Sequence, residues 1–299
     1  MPEASAVAAA AELVAPAADG AVSRTGWVRR LLRNRNVVLG GAVFLMLVLI
    51  AIGAGALSPY NPTRLYPGQR LKPPSVRNLL GTDEFGRDIA SLVLYGSRVS
   101  LMVGCVTMIL TSLGGVVIGL VAGYYRRLDL VIMRVMDGLM AFPAILLAIA
   151  LMAVRGPGVW NVIVALSVVY LPRTAMLIRS TVLSVRELDY VLGAQALGRG
   201  GLGIAFRHIL PNCMGPLLVQ GTFIFAYAVL AEAILGFLGV GVPPYVPSWG
   251  NVIASGKNVI REAFWVSAFP GLALTLAGLS LNLLGDGLRD TLDPRLRVE

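Results

Sequence analysis

Residues 37–57 form a run of 21 residues without a charged side chain, and five further apolar stretches follow it. They lie at about 99–123, 135–154, 160–178, 214–238 and 267–285. A helix needs about 20 apolar residues to cross the hydrocarbon core of a bilayer. The pattern therefore predicts an all-α, polytopic membrane protein with six transmembrane helices. Ala54-Gly55-Ala56 imitates a signal-peptide cleavage site, but the run before it has the length of a full span. It is read as an uncleaved first helix. Pro143 lies inside the third span and predicts a kink.

Composition agrees: 57% of the 299 residues are hydrophobic and only 14% are charged. A soluble domain carries about 25% charged residues. The formal net charge of +9 would suggest nucleic acid in a soluble chain. Here all the basic residues but Lys72 and Lys257 are arginines, set mostly between apolar runs, so topology control is the better reading and no nucleic acid is expected. Cys105, Cys213 and His208 form no metal-ligand or disulfide pattern. No metal, catalytic or cofactor-binding residue is assigned.

Arg33 and Arg35 precede the first span, Arg126 and Arg127 close the second, Arg179 and Arg186 follow the fourth, and Arg289, Arg295 and Arg297 follow the sixth. These ends belong on the cytoplasmic side, with both termini inside. Residues 1–23 read as a disordered cytoplasmic tail, 24–98 as the first helix with an extracytoplasmic segment, 99–290 as the core, and 291–299 as a second cytoplasmic tail. The outer segments are about 58–98 and 239–266. Ile89, Leu92, Val93, Gly96 and Val99 fall at helical spacing, which predicts an amphipathic helix lying on the surface. Arg64, Arg70, Lys72, Arg77, Arg87 and Arg98 crowd the first outer segment against the charge rule.

The cytoplasmic loop after span four is the most informative segment. A helix is predicted from about Ser184 to Leu197, with Val185, Leu188, Val191, Leu192 and Ala196 on one apolar side. Gly198, Gly200, Gly201 and Gly203 break it, and a second helical piece leads to Ile209-Leu210-Pro211. Such a protrusion suits docking onto another protein. Ser255-Gly256-Lys257-Asn258 is the nearest imitation of a phosphate-binding loop, and it lacks the upstream glycine and the hydroxyl after Lys.

The loop resembles the EAA coupling loop of ABC importer permeases through Ala194, Gly198, Leu210 and Pro211. Gly81-Thr82-Asp83 with Gly86-Arg87-Asp88, Phe206-Arg207-His208-Ile209-Leu210-Pro211-Asn212, Pro247-Ser248-Trp249-Gly250 and Leu283-Leu284-Gly285-Asp286-Gly287-Leu288-Arg289-Asp290 look like the dipeptide/oligopeptide/nickel branch. The first helix followed by the Gly-Thr-Asp segment resembles its C-type subunit. The resemblance implies a type I importer permease fold with a coupling loop at 184–211, and an ATP-driven import of di- or oligopeptides, nickel or a related solute. It implies a B-type permease partner, two ATPase subunits that hold ATP and magnesium, an extracytoplasmic substrate-binding protein, and the bacterial inner membrane. A passive channel and a membrane-embedded enzyme are the other classes; scattered carboxylates and one His argue against the enzyme. The family motif opens on Glu, whereas this chain has Leu192 and then Gly193.

The coupling-loop residues singled out are Glu187, Asp189, Tyr190, Ala194, Ala196, Leu197, Gly198, Arg207, Leu210 and Pro211, with Glu187 and Asp189 supplying nearby charge. Asp137, Glu232 and Asp286 are the ionisable groups assigned to translocation or packing. Packing is preferred for Glu232. A local ion pair at three-residue spacing is expected for Asp137 with Arg134 and for Asp286 with Arg289. His208 is expected to hydrogen-bond within the loop, and Trp249 to anchor either a binding protein or the membrane interface.

Overall fold

The computed structural model describes residues 31–292. Its helices are α1 (Arg35–Leu57), α2 (Ile89–Tyr124), α3 (Arg126–Met140), α4 (Ala144–Arg155), α5 (Val159–Val185), α6 (Asp189–Ala196), α7 (Gly201–Phe237), α8 (Trp249–Ser255) and α9 (Trp265–Leu292). Five of them are long and apolar enough to cross a membrane, and α3 with α4 makes a sixth crossing if that bent pair is one span. The tails at 1–23 and 293–299 lie outside the described residues.

The first two spanning helices begin where a side chain satisfies a free amide. The Asn34 carboxamide oxygen accepts from the Asn36 N–H at 2.9 Å and starts α1. Asp88 starts α2: one carboxylate oxygen accepts from both the N–H and the hydroxyl of Ser91 at 2.8 Å. Asn78 donates to the other oxygen at 2.9 Å.

Glycines set how closely the helices approach. In α2, Gly115, Gly119 and Gly123 recur every fourth residue and share one face. A Cβ on them would sit 2.5–2.7 Å from side-chain atoms of Thr174, Ile178 and Val182 of α5. Bare backbone thus lets α2 and α5 pack along a continuous seam. Gly104 does the same against Phe225 and Val229 of α7. On the other flank α1 packs on α9, where a Cβ on Gly40 would meet the Ser280 carbonyl at 2.6 Å.

Four expectations change here. Residues 89–99 are not a surface helix but the first turns of α2, and Ile89 and Leu92 are buried. The reason is a cap over them, built from the two outer segments and packed on Val252, Ala263, Trp265 and Val266. Pro143 does more than kink span three: α3 and α4 meet at 92° across Ala141, Phe142 and Pro143. α4 joins the main core cluster through Ala148 and Met152, whereas α3 buries only Met136. Span five is the upper part of α7, which starts at Gly201. Trp249 is no anchor: it is fully buried, and its indole N–H donates to the Val93 carbonyl at 3.1 Å.

The Gly-Thr-Asp…Gly-Arg-Asp segment is the fastening of that cap. Asp83 accepts from the backbone N–H of Phe85 and Arg87 at 2.9 and 2.8 Å and pairs with the Arg87 side chain at 2.6 Å. Trp265 donates its indole N–H to the Thr82 carbonyl at 3.2 Å. Gly86 has φ +74°, and a Cβ there would collide with the Tyr66 backbone. This accounts for two of the six basic residues of 58–98. Arg87 closes the turn, and Arg98 donates to the Ala51 and Ile52 carbonyls at 2.6 and 2.8 Å, clamping α1 to α2. The imitation phosphate loop is packing too: a Cβ on Gly256 would lie 2.1 Å from the Ser267 hydroxyl.

Candidate functional site

The protrusion at 186–211 hangs from the end of α5 and returns through α7. The helix expected from Ser184 is two helices: α5 runs to Val185, the chain turns at Arg186–Leu188, and α6 begins at Asp189. Arg186 forces this turn. Its guanidinium donates to the Gly123 carbonyl at 3.1 Å and pairs with Glu187 at 3.0 Å.

The end of α6 is built from its glycine. Gly198 has φ +76°; its N–H bonds the Gln195 carbonyl at 2.9 Å and the Arg199 N–H bonds Ala194 at 3.2 Å. Those two bonds make a Schellman cap, which needs a residue without a Cβ at that position. After it, Gly201 lies so close to Tyr124 that a Cβ would stand 2.7 Å from the phenol oxygen. A π-turn at Ala205–Ile209 then opens α7, where Pro211 lacks the N–H of a regular helix.

A small core makes the protrusion stiff. Val191, Ile204, Ile209 and Cys213 are buried with Leu120, Ile178, Val182 and Val185 from the ends of α2 and α5. Tyr190 stacks on His208 with ring centroids 6.4 Å apart. Asn212 donates to the Tyr190 hydroxyl at 3.1 Å and to the His208 carbonyl at 2.6 Å, tying α6 to α7. His208 therefore acts by stacking, and its Nδ1 has no hydrogen-bond partner, contrary to the expected bond.

What remains outside is a row of apolar side chains. Leu188, Leu192, Leu197, Leu202 and Phe206 are exposed, Leu197 by 89%. Glu187, Asp189, Ala196 and Arg207 are also exposed, Ala194 and Leu210 are half-buried, and Pro211 is exposed where α7 enters the bundle. Leu192, which replaces the motif's Glu, thus continues an apolar surface.

A clamp absent from the sequence reading braces the protrusion's root. Arg179 of α5 donates through Nε and Nη2 to both oxygens of Asp129 of α3, the latter bond 2.6 Å long. Arg179 appeared only as a topology marker, and the Asp129 spacing gave no sign that α3 would fold across α5. The anticipated pairs do not form: Asp137 and Arg134 are exposed and have no ion pair among the described residues, and the same holds for Asp286 and Arg289. Holding two exposed side chains together costs entropy and gains little in water.

Glu232 lies in a helix seam and is fully buried. The Ser100 hydroxyl donates to its Oε2 at 2.8 Å and accepts from the Trp249 N–H at 3.2 Å, so α2, α7 and α8 meet there. It lines none of the open clefts between α5 and α7.

Membrane-crossing helices that carry a stiff apolar knob at one end define a transport permease built to work with other subunits. Residues 115–298 match the family model described as binding-protein-dependent transport system inner membrane component, and residues 25–74 match the N-terminal TM domain of oligopeptide transport permease C. The chain belongs to this family of multi-pass inner-membrane permeases, which are transport subunits and not enzymes. It is 49% identical to a peptide transport system permease protein of Brucella suis, over 91% of this chain and 92% of the relative. It is 43% identical to the di/tripeptide transport system permease protein of Pseudomonas aeruginosa, over 87% and 88% of the two chains. The dipeptide transport system permease protein of Escherichia coli is also 43% identical, over 89% and 91%.

Proposed function

We propose that this chain is the C-type permease half of an ATP-driven importer of di- and oligopeptides. It pairs with a B-type permease, and two separate ATPase subunits, which hold the ATP and magnesium, bind its coupling loop. A substrate-binding protein delivers peptide to the opposite, extracytoplasmic face, and both termini lie in the cytoplasm. The relatives' names, as peptide, di/tripeptide and dipeptide permeases, support the substrate class.

The observation that carries the coupling reading is the exposed apolar row on a protrusion with its own buried core. A side chain such as Leu197 gains about 1.5–3 kcal/mol when buried, so a partner surface is its natural place. The movement of that partner would reach α5 and α7 directly, because Val191 of α6 is buried in one cluster with Ile178, Val182 and Val185 of α5 and with Ile204 and Ile209 of α7. Leu197→Glu with Leu202→Glu tests this without touching the protrusion's core. The expected result is a loss of ATPase subunits on co-purification of about tenfold or more, with the partner permease retained. Normal ATPase recovery and peptide uptake would overturn the assignment.

A further inference from the structure

Arg173 stands in the middle of a membrane-crossing helix. It is 14 residues from Val159 and 12 from Val185, about 21 and 18 Å from the two ends of α5 at helical rise. Its side chain is exposed and forms no ion pair among the described residues. A guanidinium at that depth cannot rest in lipid without a cost of several kcal/mol, so it faces water or a partner.

What surrounds it is an open cleft of about 620 Å³ between α5 and α7. Arg173, Met176 and Ser180 line one wall at helical spacing, and Gln220, Phe223 and Tyr227 line the other. A second cleft of about 670 Å³ shares Gln220 and Phe223 and runs down to Asn212, Pro211 and Arg289. Together they make one groove from the middle of α5 to the coupling-loop end. Along α7 it covers the 17 residues from Pro211 to Tyr227, about 24 Å. Its polar groups are Arg173, Ser180, Gln220 and Tyr227 in the upper cleft and Asn212 and Arg289 at the lower end, separated by apolar walls.

We infer that this groove is the chain's share of the peptide path, and that Arg173 receives the peptide's carboxylate there, with Gln220 and Tyr227 beside it. The inference rests on the peptide-importer reading and deepens it. A planar guanidinium matches a carboxylate in two parallel hydrogen bonds, and a neutral amide and phenol can serve peptide groups of any sequence. A carboxylate of the partner permease is the competing counter-ion. The row of amide and hydroxyl groups along the groove favours a moving ligand.

The test uses the complete importer in proteoliposomes, with Cys105→Ser and Cys213→Ser as background and labelled alanyl-alanine as probe. Arg173→Cys is expected to lower uptake about tenfold or more, the loss of one charge-assisted contact, while assembly and ATP hydrolysis persist. Treating that variant with 2-aminoethyl methanethiosulfonate returns a cation and is expected to restore uptake. The anionic 2-sulfonatoethyl reagent is expected not to. Arg173→Lys, which keeps the charge and loses the planar fork, is expected to retain uptake above Arg173→Cys and below the parent. Unchanged uptake in Arg173→Cys, equal rescue by the anionic reagent, or loss of the partner permease from the variant complex would each overturn the inference. The last outcome assigns Arg173 to the subunit seam. Failure of the parent complex to import the dipeptide would instead sink the peptide-importer reading.

Discussion

A single methyl group placed in the α2–α5 seam should loosen it, while the same group elsewhere in the chain should tighten a helix. Gly119→Ala puts a Cβ 2.6 Å from the Ile178 Cβ and 2.7 Å from the Ala175 carbonyl oxygen, where ordinary contact begins at 3.4 Å. The shortfall is about 0.8 Å, and one obstacle is backbone, which no rotamer change removes. Parting the helices by that much forfeits about a quarter to a half of each dispersion contact along the line. Overpacking of this kind costs about 1–3 kcal/mol. The controls are Gly138→Ala in α3 and Gly193→Ala in α6, where a Cβ meets nothing within 4 Å. There the helical preference for Ala should add about 0.5–1 kcal/mol. Thermal unfolding of the purified permease in one detergent should therefore move in opposite directions for the two classes. The seam also leads to the Gly123 carbonyl that holds Arg186, so Gly119→Ala should reduce uptake per ATP hydrolysed in the assembled importer. Equal unfolding midpoints for Gly119→Ala and Gly193→Ala would refute the reasoning.

Two other perturbations separate the roles of the polar residues. Asp129→Asn removes the anion from a two-pronged contact with Arg179, whose side chains are 16% and 31% exposed. It should cost about 1–3 kcal/mol, and Asp129→Asn with Arg179→Gln should cost less than the sum of the singles in a double-mutant cycle of unfolding. Glu232→Gln keeps an acceptor for Ser100 and should unfold within about 1 kcal/mol of the parent, whereas Glu232→Ala loses an interhelical hydrogen bond and leaves a cavity, for about 1–3 kcal/mol. If Glu232→Gln instead abolishes uptake without changing the unfolding midpoint, Glu232 belongs to transport and not to packing.

Apolar run length was enough to place the spans, because the bilayer leaves a chain few alternatives to helices that long. It failed where one protein segment buries another. Residues 89–99 read as half-polar because Ser91, Tyr95, Ser97 and Arg98 interrupt them. The structure gives Ser91 to Asp88, Ser97 to the Leu94 carbonyl and Arg98 to α1. Trp249 read as an anchor, for a binding protein or for the membrane interface, for the same reason: a sequence does not say that two distant outer segments will close over it. The coupling loop was legible as helix, glycine and Leu-Pro, yet its exact register was not, since Arg186 breaks α5 by reaching a carbonyl 63 positions away. Other signals lay in plain view. The fourfold spacing of Gly115, Gly119 and Gly123 announces a tight helix pair, and Arg173 is a lone charge inside span four. Asp129 is different in kind, because its partner lies 50 positions away on another helix, and nothing in the local pattern shows that α3 turns toward α5.

The hydrogen bond from Trp265 to Thr82 joins positions 183 residues apart. A ribosome adding about 5–20 residues per second needs roughly 10–40 s to cover that distance. Throughout that interval the Gly-Thr-Asp segment has already left the ribosome while its lock has not been made. The buried faces of Ile89 and Leu92 must wait, shielded by lipid or by the insertion machinery. Trp265 is thus the clasp that closes the cap, and a nascent chain stalled before it displays that cap unfinished.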